Sequence, residues 1–269
     1  MKSSTIKSTN STLYMEEFNS ISELVNTINS RKYNPEITSR DSIESKKSFS
    51  GTESYKEAED LLLHGWTEES EKLNNLLKLK VSVSNVKQTK TTYDVAGFQC
   101  SVPRYLQGIP TSMINQKIVM KKQKNIIITK FVAYSGYVNK ETIENESVKV
   151  LQLVNSLEKQ GYRVTLNVLL GSYKKETTLA MKVRIKNSSE RLNLSKVSFP
   201  LVHPSFLRRI CFKWIETNEH ATKLFNYGYG VPLGIEGFKK FVNSSKNSNE
   251  YYAEQTFDNE TITIDDLYH

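Results

Sequence analysis

Scarcity bounds what this chain of 269 residues can be. It has only two cysteines, Cys100 and Cys211, far apart and in dissimilar contexts. That argues against a disulfide framework and for two buried or semi-buried thiols in a reducing cytosol. No run of about 18 apolar residues occurs, so no helix is expected to span a membrane. Residues 1–12, mostly Ser, Thr and Asn with two lysines, lack the apolar stretch of a secretory signal. The four histidines (His64, His203, His220, His269) are dispersed, and no Walker A lysine motif is present. Gly228 and Gly230 lack the third glycine and the preceding strand of a dinucleotide fingerprint. No metal and no cofactor is therefore expected, and the location expected is cytoplasmic.

What is present begins with charge. The net charge is +8, but all 37 Lys and Arg fall at or before Lys246, while six of the 29 acids lie after it. The body thus carries +14 and the last 23 residues carry −6. A basic body with an acidic tail suits a polyanion partner, or a tail that covers a basic face until a partner displaces it. A solvated lysine-rich surface is the plainer alternative.

Periodicity supplies the elements. Residues 1–19 offer little to bury and are expected to be disordered. Residues 20–86 read as a helical extension: Ser20 caps a stripe of Ile21, Leu24, Val25 and Ile28, and residues 52–80 form a helical hairpin broken at Gly65-Trp66. Residues 87–245 read as an α/β core. Its organising unit is the apolar run Ile126 to Ala133, a helix from Lys140 to Gln160 ended by Gly161, and an alternating strand from Tyr162 to Leu170. A central strand apolar on both faces implies helices on both sides. A third strand, Leu179 to Ile185, follows too closely for a crossover and should pair antiparallel as a charged sheet edge. The loop from Lys87 to Lys124 is too apolar to stay in water and is expected to pack over the sheet or line a pocket. A helix from Pro204 to Thr217 is expected to show Arg208, Arg209 and Lys213 on its outer face, with His203 as its N-cap. Residues 246–269 are expected to form an extended or mobile acidic tail.

This order of elements resembles the start of a von Willebrand factor A-like domain. In that family the loop after the first strand carries Asp-x-Ser-x-Ser and holds a divalent cation; here the matching positions are Ala133, Ser135 and Tyr137, which lack the charged ligand. The implied fold is a Rossmann-like, von Willebrand A-like mixed sheet without its metal site. A triad of Ser135, His203 and Asp94 has no support in spacing, so no catalytic residue is assigned. An enzyme would need the loop from Tyr93 to Met113 to fold over Ser135 and form a pocket. The better lead is basic: Lys121, Lys122, Lys174, Lys175, Lys182, Arg184, Arg208, Arg209 and Lys213 would bind phosphates without reading sequence if they converge.

Several segments together resemble a family of uncharacterised proteins of tailed phages and prophages. They are Phe49-Ser50-Gly51-Thr52 with Gly65-Trp66, Tyr93-Asp94-Val95-Ala96-Gly97, Tyr134-Ser135, Leu157-Glu158 with Gly161-Tyr162, His203-Pro204-Ser205 with Arg208-Arg209, and Gly228-Tyr229-Gly230. Where that family suggests Arg-Gly-Ala early in the central helix, this chain has Glu146-Ser147-Val148. The resemblance implies a phage origin and an α/β fold. The expected function is a phage-encoded, non-enzymatic protein that binds DNA or RNA, or a nucleoprotein complex, through a basic face. The alternative is a protein-interaction or virion-assembly module with a phage or host partner, such as an AAA+ ATPase. No membrane partner is expected.

Overall fold

A computed structural model describes residues 1–8, 11–79, 89–118, 124–134, 138–174, 176–221, 229–234, 237 and 249–268. The chain opens with strands β1 (Lys2–Ser8) and β2 (Ser11–Phe18), then helices α1 (Ile21–Ser30), α2 (Asp41–Glu44), α3 (Lys47–Ser50), α4 (Tyr55–His64) and α5 (Thr67–Leu79). Next come β3 (Thr89–Asp94), β4 (Gln99–Cys100), α6 (Val102–Leu106) and β5 (Met113–Ile118). The central unit is β6 (Asn125–Phe131), α7 (Lys140–Lys159), β7 (Arg163–Lys174) and β8 (Thr177–Lys186). Helix α8 (Leu194–Val202) leads to a π-helical turn (Phe206–Cys211) and α9 (Phe212–Glu216), followed by β9 (Val231–Pro232), β10 (Glu250–Ala253) and a 3-10 turn (Ile264–Asp266).

The β6–α7–β7 unit forms where periodicity puts it. The Asn139 side chain accepts the Thr142 N–H to start α7, and Gly161, at φ 89°, ends it in the left-handed conformation that glycine adopts without strain. Strands β6 and β7 are parallel, and β7 and β8 antiparallel. Among the described residues, seven strands form one mixed sheet in the order β1-β2-β8-β7-β6-β10, with β9 added on β7.

Strand parity separates the two faces. Ile126, Ile128, Val164, Leu166, Val168, Met181 and Val183 pack with α1, α4, α5, α7, α8 and α9 in one large core. The other face holds a smaller cluster of Leu13, Met15, Phe131, Leu169, Ala180, Leu233 and Tyr252, to which no described helix contributes. The described helices therefore form one layer, where two were expected. Across the second face runs a buried polar row. Lys182 bridges Glu17 (2.9 Å) and Glu250 (3.3 Å), and Thr129 donates to Glu250 (2.7 Å) while accepting from Asn167 (3.2 Å).

Four sequence expectations are corrected. Residues 1–18 are not a disordered tail: β1 and β2 pair antiparallel, and β2 lies parallel on β8 from Thr12 to Phe18, burying Leu13 and Met15. Strand β8 is consequently interior; of the charges that suggested an edge, Lys182 is paired with Glu17 and Glu250. Residues 250–253 are not a free tail but an edge strand parallel to β6, with Tyr252 and Ala253 buried. Finally, residues 89–118 do not pack over the main sheet. They make a separate three-stranded antiparallel sheet, in the order β3-β5-β4, and most of their large apolar side chains stay exposed.

Candidate functional site

In open α/β sheets ligands bind in the crevice beyond the carboxyl ends of parallel strands. Here that crevice lies after β6. Ala133 is buried there, while Ser135 and Tyr137 lie outside the described residues. The crevice is filled by the chain itself. Lys130, fully buried, donates from Nζ to the carbonyls of Glu254 and Gln255 (the latter at 2.9 Å), and Tyr134 Oη donates to Gln255 at 3.1 Å. On α7, Glu146 accepts the Phe257 N–H (2.9 Å) and pairs with Lys149 (2.7 Å), which donates to the Phe257 carbonyl (2.9 Å). The free space behind, lined by Val132, Tyr134, Ile143, Leu201, Phe206 and Leu207, is about 40 Å³, far below what a small-molecule substrate needs. Among the described residues, no group of three or more His, Cys, Asp or Glu could hold a metal ion.

Burial pulls the Lys130 ammonium down to about 7, against the attraction of Glu146. The unfolded chain keeps this proton up to the ordinary lysine value of 10.5, so between about pH 7 and 10.5 it binds more protons than the folded one. Stability should therefore rise with pH across that window, by up to about 1.4 kcal/mol per unit from this group, and the full cost of burying the charge is present below pH 7. Urea titrations at pH 7 and 9 should show this rise in the natural chain and a much flatter response in Lys130→Met; equal slopes would refute the assignment.

A second convergence joins segments that the sequence resemblance singled out. Thr52 and Ser205 share a hydrogen bond between hydroxyls (2.9 Å), and Ser205 donates to the Ser50 carbonyl (2.5 Å). Gly51, at φ 93°, lies against Pro204, where a Cβ would come within 2.8 Å of the ring. The His203 Nδ1 accepts the Ser205 N–H (3.1 Å), the capping role expected of it, while its ring meets Trp66 edge-on at 4.7 Å. Burial lowers its pKa to about 4, so it is a neutral cap and not a base at neutral pH.

The described basic candidates do not gather into one exposed face. Arg209 is entirely buried, contrary to its expected outward position, and donates to Thr52 Oγ1 (2.9 Å) and to the carbonyls of Thr52 (2.8 Å), Ser42 (3.1 Å), Ser45 (2.9 Å) and Ile43 (3.3 Å). Arg208 donates to the Phe49 carbonyl and covers the Phe49 ring at 4.4 Å. Lys213 donates to Asn29 (2.6 Å) and sits 3.8 Å from the Tyr55 ring centroid. Lys182 belongs to the buried polar row, and Arg184 reaches Asn187 at 3.5 Å. Lys174 is exposed at the end of β7; Lys121, Lys122 and Lys175 lie outside the described residues.

The most distinctive surface was not among the sequence candidates. Of the twelve large apolar side chains left exposed among the described residues, six (Tyr93, Val95, Phe98, Val102, Tyr105, Leu106) fall between positions 93 and 106, with Leu106 at 78%. Gly97 passes directly beneath the Ile114 carbonyl, leaving no space for a Cβ. Phe98 N–H donates to that carbonyl (3.0 Å) and Ser101 N–H to Ser112 (2.8 Å). Arg104 holds Thr111 and covers the Tyr93 ring at 4.3 Å. The only sequence signal for it is the apolar content of this segment, which by itself implies burial as readily as an exposed surface.

Fold and surface define an α/β protein whose mixed sheet incorporates both terminal segments and which carries a small apolar satellite sheet. The chain belongs to the family described as Domain of unknown function (DUF7192), whose profile matches residues 4–267 and so takes in both terminal strand regions. Comparison with curated proteins and with solved structures found no match. Among the described residues no helix is long and apolar enough to cross a membrane.

Proposed function

We propose that this chain is a non-enzymatic binding protein whose partner is another protein, in preference to nucleic acid. The observation that carries this reading is the set of six large apolar side chains exposed between residues 93 and 106, since exposed apolar surface concentrated in this way marks interaction sites. Nucleic-acid binding through Arg208, Arg209 and Lys213 is less favoured, because their charged heads are already engaged by Phe49, Thr52 and Asn29. A von Willebrand A-like core is supported by β6–α7–β7 followed by the antiparallel β8, and departs from expectation in the N-terminal strands beyond β8 and the single helical layer. Phage origin and a role in virion assembly or with an AAA+ ATPase rest on the sequence resemblances alone. Fluorescence anisotropy with labelled DNA and RNA at about 50 and 200 mM salt tests the choice of partner: the expected result is no salt-sensitive binding, whereas affinity falling steeply with salt would restore nucleic acid as the ligand.

A further inference from the structure

We infer that residues 93–106 dock onto a segment of a partner protein in which apolar side chains are flanked by carboxylates. This rests on the protein-binding reading above and adds the chemistry of the partner. Among the side chains described in the small sheet only Ser112 is buried, so this sheet has no core of its own. Three strands become independently stable only with an apolar face to pack. Its exposed residues are nonetheless held in place by backbone hydrogen bonds to Ile114 and Ser112 and by Arg104 over Tyr93. A surface ordered before binding loses little entropy when it docks.

Charge selects among occupants. The described stretch 89–118 contains three Lys and Arg (Lys90, Arg104, Lys117) and one acid, Asp94. Two copies meeting through this segment would bring like charges together, which disfavours a second copy as the occupant. Nucleic acid would satisfy the charge and would find rings to stack on in Tyr93, Phe98 and Tyr105, but it would leave the aliphatic half of the surface, Val95, Val102 and Leu106, without an apolar partner. Aromatic and aliphatic side chains with Arg104 over Tyr93 match the centre of a protein–protein interface, and the net positive charge of this stretch calls for acidic residues beside the partner's apolar anchors.

The test is selection of a displayed library of random dodecapeptides on the full chain. Enriched peptides should combine large apolar residues with Asp or Glu. Leu106→Asp should weaken their binding by about tenfold or more, whereas Ile43→Asp, at another exposed apolar position, should leave it unchanged. Both sites are on the surface, so thermal melting of the two variants should match the natural chain. Enrichment of neutral or basic peptides, still sensitive to Leu106→Asp, would overturn the acidic partner and leave the protein-binding reading standing. No enrichment, or enrichment indifferent to Leu106→Asp, would overturn the inference, and with salt-sensitive DNA or RNA binding both readings would fall. Self-association in analytical ultracentrifugation that Leu106→Asp abolishes would make a second copy the occupant and overturn it as well.

Discussion

Arg209→Ala is expected to lower stability by about 3–5 kcal/mol, a large share of the roughly 5–15 kcal/mol that holds a typical domain folded. The guanidinium donates to carbonyls of α2 and its C-terminal end (Ser42, Ile43, Ser45) and of the turn after α3 (Thr52, which also accepts from Ser50 Oγ at 3.0 Å), and the Ser42 and Thr52 residues it binds are themselves fully buried. Truncation removes the guanidinium donor from all four carbonyls, of which Thr52 keeps the Ser50 hydroxyl, and each buried acceptor stranded in this way costs about 1–3 kcal/mol. The effect should spread, because Ser42 is held from its other side by Glu216, which accepts from its N–H at 3.0 Å and from the Tyr229 hydroxyl at 2.6 Å. Arg209→Lys keeps the charge but not the planar fork, so it should recover only part of the loss. Urea titration followed by circular dichroism measures both variants; a loss below about 1 kcal/mol for Arg209→Ala would mean that water replaces the guanidinium.

Why Arg209 was misplaced shows where sequence periodicity stops being informative. At α-helical spacing it shares an outer face with Arg208 and Lys213, but residues 206–211 form a π-helical turn, whose wider winding turns each later side chain back from its α-helical direction. Nothing in the local sequence announces that turn. The β6–α7–β7–β8 unit was legible because its signals are local: a 3.6-residue stripe from Val148 to Leu157, Gly161 as a stop, and strict alternation afterwards. Helix α8 was hidden by Pro200, which reads as a breaker yet lies inside the helix with Phe199, Leu201 and Val202 buried around it. Strands β1 and β2 were hidden for a different reason. They are rich in Ser and Thr, and the β8 residues that β2 pairs with lie some 165 positions later, where Thr12 meets Thr177. The crevice was legible only as a position: the loop after β6 was recognised, but Lys130 and the distant 254–257 segment that fills the site carry no motif.

Ending the chain after Lys246 should destabilise it by about 5 kcal/mol or more, instead of unmasking a basic face. The removed segment supplies Tyr252, Ala253, Ile262 and Leu267 to the buried interior, and the larger of these side chains are each worth about 1.5–3 kcal/mol. It also supplies the ladder from Glu250 to Ala253 along β6, the Tyr252–Tyr268 bridge, and the two carbonyls that receive Lys130. With Glu250 gone, Thr129 loses its carboxylate acceptor in the polar row and Lys182 keeps only Glu17. Because the shortened chain could fail to fold, limited proteolysis of the full chain gives an independent reading: peptide bonds between 250 and 257 should resist cleavage until global unfolding, whereas a mobile tail would be trimmed at once. Rapid trimming, or a shortened chain that melts within a few degrees of the full one, would refute the prediction. The same geometry changes what the acidic charge means. Glu250 is inside, while Asp258, Glu260, Asp265 and Asp266 stay exposed on an anchored segment, with Asp266 fixed by the Thr263 N–H at 2.7 Å. These carboxylates are therefore held stationary on the folded surface, and a ligand that competed for Lys130 or Lys149 would have to strip the 254–257 segment away to reach them.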